Sequence, residues 1–292
     1  VYGATGSFDL DVITTQISAG NLNSSIMLLM GILLIMIAMV FKVSAAPFHF
    51  WAPDVYQGAP TVITAFMSTV VKTAALAAFF RLFAHTFTGM ADVWRTILVV
   101  ISATTILIGN ITAVYQTNVK RMLAYSSIAH AGYMIMAIVA LNTAASSALL
   151  FYAIAYSISS IASFTILLMV SNSTGNDSIE SFHGLAKKSP FLAVMTIISM
   201  LSLAGIPPTA GFFAKYYIFV AAMENYLTPL VLIAIIGSLI GVYFYFKIII
   251  AMFREGNEKE MQFSGTYKIV LVIAGILAVA LGVFPGLITG LL

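Results

Sequence analysis

The stretch TVITAFMSTVVKTAALAAFFRLF, residues 61–83, decides the fold. It contains no acid, no proline and no glycine, and apart from Arg81 near its end its single charge is Lys72, eleven residues from either terminus. At 1.5 Å per helical residue Lys72 lies about 16 Å from each end, the centre of a hydrocarbon core of about 30 Å. A lysine so deep cannot snorkel to water, and its ammonium costs several kcal/mol. The run lacks the two-residue alternation of a barrel strand, so its backbone must satisfy itself as a transmembrane helix. A charge at such a cost reads as functional. The alternative is a lysine pinned by freed carbonyls or by an acid of another subunit.

The same reading extends outward. Of the 292 residues 61% are hydrophobic and 8% charged, and the mean hydropathy is +1.04. This is the composition of an integral membrane protein. The net charge of +3 is spread over thirteen cations and forms no basic patch, which argues against a nucleic-acid partner. The chain has no cysteine, which excludes disulfides, thiolate metal sites and cysteine-held iron–sulfur clusters. Of four histidines only His130 falls inside a helical run, so haem ligation is not expected either. No metal ligand and no catalytic residue is assigned. The opening Val1-Tyr2-Gly3 has neither methionine nor a charged region, so no signal peptide is expected and the chain reads as a mature or truncated product.

Eight runs are long enough to span: 24–46, 61–83, 93–115, 120–141, 146–170, 190–222, 228–253 and 267–290. The chain is therefore expected to be an all-α membrane protein of about eight transmembrane helices. Alternating linkers put Lys120, Arg121, Lys187, Lys188, Arg254, Lys259 and Lys268 on one side and only Arg81 and Arg95 on the other. By the positive-inside rule the first side is cytoplasmic and both termini are outside. Trp51, Trp94, Tyr56 and Tyr226 fall near span ends and read as an interfacial belt.

Two spans carry helix breakers. The first runs into Lys42-Val43-Ser44-Ala45-Ala46-Pro47, and the sixth contains Gly205-Ile206-Pro207-Pro208 ahead of Lys215. They are five helices apart and so cross in opposite directions, as paired discontinuous helices of an inverted repeat do in transporters. Proline and glycine merely kinking packed helices is the plainer alternative. Lys42, Lys72 and Lys215 are the charges expected deep in apolar helices, with no acid in those helices to neutralise them; Lys42 and Lys215 are also placed to cap carbonyls freed at the breaks. Lys247 and Arg254 read as snorkelling anchors at the cytoplasmic end of their span. His130 sits mid-span beside Ser126, Ser127 and Tyr133, and is either a proton relay or a histidine bonded to a neighbouring helix.

At Pro47-Phe48-His49-Phe50-Trp51-Ala52-Pro53-Asp54-Val55-Tyr56-Gln57-Gly58-Ala59-Pro60 the chain resembles the antiporter-like membrane subunits of proton-pumping NADH-quinone oxidoreductase, respiratory complex I. The Val-Tyr-Gln-Gly-Ala-Pro continuation favours the subunit N branch. Residues 116–130, from Gln116 through Lys120-Arg121 to His130, and Leu201–Pro208 with Gly211, Phe212 and Lys215, extend the likeness over nearly the whole chain. The resemblance implies five-helix inverted repeats. Residues 1–23 become a non-cytoplasmic stretch, 24–92 the last two helices of the first repeat with the following loop, 93–253 the second repeat, and 254–292 a cytoplasmic loop and final helix. It implies proton translocation along Lys42, Lys72, His130 and Lys215, driven by quinone reduction in other subunits. Pro47, Gly205, Pro207 and Pro208 become the helix breaks. It implies no cofactor in this chain, with NADH, FMN, iron–sulfur clusters and quinone elsewhere in the complex. The partners it implies are other membrane-arm subunits, among them neighbouring antiporter-like ones, and the lipid of an energy-transducing membrane, the bacterial inner membrane. The family's glutamate, on a helix preceding the first span, has no counterpart here, from which six N-terminal helices are expected to be cleaved or carried elsewhere. A subunit of a multi-subunit sodium/proton antiporter and a non-pumping structural subunit are the other readings.

Overall fold

The computed structural model describes residues 1–20, 25–256 and 265–289. Glu258, Lys259 and Glu260, and the outermost residues of the first and last expected spans, lie outside the described residues. Helices are α1 (Leu10–Ser18), α2 (Ile26–Lys42), α3 (Trp51–Gly58), α4 (Thr61–Thr86), α5 (Thr88–Val114), α6 (Val119–Ala140), α7 (Thr143–Thr174), α8 (Pro190–Ala204), α9 (Ala210–Met223), α10 (Thr228–Met252) and α11 (Gly265–Val283). Six of them, α4 to α7, α10 and α11, are long and apolar enough to cross a membrane; α2, α8 and α9 are shorter apolar helices. With α2 continuing through its break, and α8 joined to α9 across theirs, the eight spans read from the sequence are recovered. The chain is a multi-span membrane protein.

α6 is the centre of the bundle. Every residue from Val119 to Ala140 except Arg121 and Tyr125 is buried. Its apolar residues run all round the helix, the pattern of a helix enclosed on every side. α5, α7 and α9 pack against it, and α10 packs across α5 and α8.

Hydrogen bonds between loops define the two ends. At one, the Val119 amide donates to the Asp177 carbonyl (2.7 Å), Ile179 to Thr117 (3.0 Å) and Gly184 to Arg254 (2.8 Å). The Arg121 guanidinium meets Asp54 at 2.6 Å, and Lys120 donates to the Ala59 carbonyl. This end gathers the cationic linkers. At the other, Arg95 Nε donates to the Val139 carbonyl (2.8 Å) and Asn142 to Glu224 (3.1 Å), while α1 packs Ile17 against Gly89.

Both breaks are built by their sequences. After α2 the chain turns at Ser44 (φ 61°), and the Ala46 amide donates to Thr105 Oγ1 of α5 at 2.9 Å. After α8, Gly205 adopts φ 81°, and its amide and that of Ile206 return to the Leu201 carbonyl, each at 3.0 Å. A glycine there takes the left-handed conformation at no steric cost, and the prolines after it cannot continue the helix.

Two expectations are corrected. Trp94 and Tyr56 do not form an interfacial belt: both are buried, Trp94 donating from Nε1 to the Phe87 carbonyl at 2.9 Å with its ring edge-on to Phe83. Tyr226 is exposed and fits the belt. Lys42 is not buried either; it is exposed and makes no hydrogen bond or ion pair among the described residues. Leu28, Ile32, Met36 and Val40 form the buried stripe of α2. Two residues beyond Val40, at 100° each, Lys42 turns about 200° away from it.

Candidate functional site

Lys72, His130 and Lys215 are buried, at 3%, 5% and 6% exposure. Lys72 follows a π-helical segment, Met67–Val71, within α4. Such a wider turn frees backbone from the regular ladder and occurs often at functional positions. Lys72 Nζ donates to the Ser127 carbonyl of α6 at 2.8 Å and also to the Ser127 hydroxyl. That hydroxyl in turn accepts from Tyr156 of α7 at 2.8 Å, and Tyr56 of α3 faces it as well. A cation held by two neutral oxygens has exchangeable partners and no fixed counter-charge, a setting suited to taking up and releasing a proton.

Lys215 of α9 repeats this arrangement at the second break. Its Nζ donates to the Ala204 carbonyl, the last residue of α8, at 2.7 Å and to Ser238 Oγ of α10 at 2.7 Å. Its side chain crosses Gly205, where any Cβ would collide with it, and its ammonium lies 5.2 Å from the Tyr133 ring centre. Lys215 therefore does cap a carbonyl freed by the break.

Between the lysines stands His130, one turn along α6 from Ser127. Its Nδ1 is 2.7 Å from Tyr152 OH and its Nε2 3.1 Å from Tyr245 OH. A neutral imidazole donates from one nitrogen and accepts at the other, so a proton taken up at one side can be released from the other. Tyr245 also bonds Ser126, which carries the hydroxyl string on. Tyr133 contacts Asn110 at 3.3 Å and the Ala234 carbonyl at 3.3 Å.

The structure thus brings three of the four expected residues into the interior and leaves Lys42 on the outer face of α2. Pro47, Gly205, Pro207 and Pro208 lie in the breaks. Lys247 lies off this cluster: it donates to the Gln116 carbonyl at 3.2 Å, nine residues or about 13 Å along α10 from Ser238. Tyr152, Tyr156, Tyr245 and Ser238 were not singled out by the sequence. Tyr245 and Ser238 both lie on α10, whose polar residues are a signal of the same kind as Ser126 and Ser127. Among the described residues no group of histidines and acids could hold a metal ion.

The fold and site define a many-span membrane protein with two broken helices and buried lysines and a histidine in its interior. Residues 1–241 match the family described as NADH:quinone oxidoreductase/Mrp antiporter, TM, and the chain belongs to that family. It is 47% identical over 290 residues to NADH-quinone oxidoreductase subunit N of Cytophaga hutchinsonii, covering 99% of this chain and 62% of that protein. It also resembles a chain of respiratory complex I from Thermus thermophilus with bound aureothin, at a TM-score of 0.84 and 36% identity over 99% of this chain and 62% of that one. A chain of the Mrp complex from Dietzia sp. has the same fold, at a TM-score of 0.87, 21% identity, and coverage of 98% and 61%. The chain spans about three fifths of the length of the curated relatives it matches.

Proposed function

We propose that this chain is part of a proton-translocating membrane-arm subunit of NADH-quinone oxidoreductase in the bacterial inner membrane. The observation that carries the reading is that Lys72 and Lys215 are buried with, among the described residues, only serine hydroxyls and backbone carbonyls as hydrogen-bond partners, one on each side of a histidine bonded by two tyrosines. Lys72 and Lys215 are the proton-holding groups and His130 is the relay between them. Lys42, exposed on the outer face of α2, is the group open to the charge of an adjoining element. A change in a neighbouring charge a few Å away is felt strongly where the dielectric is low, which lets redox events in other subunits drive this one. NADH, FMN, the iron–sulfur clusters and quinone are then handled by those subunits, and adjacent antiporter-like subunits are its partners.

Residues 93–253 are assigned to a complete five-helix repeat and 24–92 to the end of an inverted one, with 254–292 forming a cytoplasmic loop and final helix. The 47% identity to a subunit N, against 21% to the Mrp chain, favours the oxidoreductase over the sodium/proton antiporter. Affinity purification of the chain from its native membrane, followed by mass spectrometry, tests this choice. NADH-oxidising and quinone-binding subunits are expected in the purified complex; recovery of antiporter subunits alone would contradict it.

A further inference from the structure

Between His130 and the second break lies a cavity of about 10 Å³. His130, Tyr152, Ala155, Tyr156, Ser159, Ser202 and Gly211 line it. That volume is at the size one water needs, and a buried water needs two to four polar partners, which these residues supply. Ser159 Oγ of α7 lies 2.6 Å from Ser202 Oγ of α8, and the Gly211 amide of α9 donates to the same Ser202 oxygen at 3.3 Å. Three helices therefore converge on one hydroxyl pair, and Gly211 keeps them close: a Cβ there would collide with the Ser202 carbonyl. Ser202 is two residues before Ala204, whose carbonyl holds Lys215, and Ala214 of the cavity wall precedes Lys215. Outside this cavity the two hydroxyl strings approach each other at Tyr133, whose ring lies against His130 and whose hydroxyl faces Ser238.

We infer that Ser159 and Ser202 are positioning residues that hold one water between His130 and the α8–α9 break, extending the hydroxyl string from His130 to the break that holds Lys215. The water takes a proton from the His130–Tyr152 side and passes one of its own to the Ser159–Ser202 side, so it is left unchanged. This rests on the proposed proton-translocating role.

The test uses the assembled complex in inverted membrane vesicles, measuring proton uptake per NADH oxidised. Ser159→Ala with Ser202→Ala, which removes the polar wall without adding volume, is expected to lower the ratio by a quarter or more. Ala155→Val, which fills the cavity and keeps both hydroxyls, is expected to do the same. Wild-type ratios in both the double-alanine and the Ala155→Val complexes would overturn the water link. Lys72→Met in parallel separates the failures: if it lowers the ratio while the cavity variants do not, only the water link falls; if neither does, the translocation reading falls as well.

Discussion

Ser127 is the residue on which Lys72 depends most directly, since both of that lysine's hydrogen bonds end on it. Hydrogen bonds to charged groups contribute about 1.5–3 kcal/mol, and the carbonyl survives Ser127→Ala while the hydroxyl does not. We expect Ser127→Ala to slow coupled turnover roughly tenfold and Ser127→Thr to recover most of it, as read by NADH-driven proton uptake; equal rates in Ser127→Ala and wild type would exclude the hydroxyl from the path. The Arg121–Asp54 pair behaves differently. Its side chains are 30% and 72% exposed, and exposed pairs contribute about 0–1 kcal/mol. Asp54→Asn should therefore change the thermal midpoint of the purified complex by no more than a few degrees. At this scale the sequence was informative about depth and silent about direction. Lys72 was placed at mid-membrane by counting residues, but the outward rotation of Lys42 depends on which face of α2 the bundle covers. An apolar run that is greasy all round does not reveal that.

The two discontinuous helices are the elements that set the site, and their breaks were legible in Pro47 and in Gly205-Ile206-Pro207-Pro208. The π-helical turn ahead of Lys72 was not: Met67-Ser68-Thr69-Val70-Val71 contains no helix breaker, and the segment packs against α7, a tertiary contact that the local sequence does not encode. Nor did the sequence reveal that Tyr152, Tyr156 and Tyr245 converge on α6, because the pairing of α7 and α10 with it is a tertiary fact. The second break makes a sharp steric prediction. Gly211→Ala forces its methyl into the Ser202 carbonyl, whereas Gly58→Ala meets nothing within 4 Å. Overpacking costs about 1–3 kcal/mol, so Gly211→Ala should reduce the yield of assembled complex and lower its thermal midpoint. Gly58→Ala should leave both at wild-type values.

For the molecule as a whole, the loops fall into two sets joined by their own hydrogen bonds, with Asn176 in one and Tyr226 in the other. The chain has no cysteine, so single introduced thiols can be read without background. Asn176→Cys should react with a membrane-impermeant maleimide only from the cytoplasmic side, and Tyr226→Cys only from the opposite side; labelling of both from one side would refute the topology. The central claim is that protons cross on buried lysines linked through His130. Its most direct test is proton uptake by the reconstituted complex carrying Lys72→Met or Lys215→Met, since methionine preserves an unbranched apolar stem but cannot hold a proton. The account predicts that each variant assembles in normal amount and loses at least about half of its proton uptake per NADH. Full uptake by either normally assembled variant would contradict it.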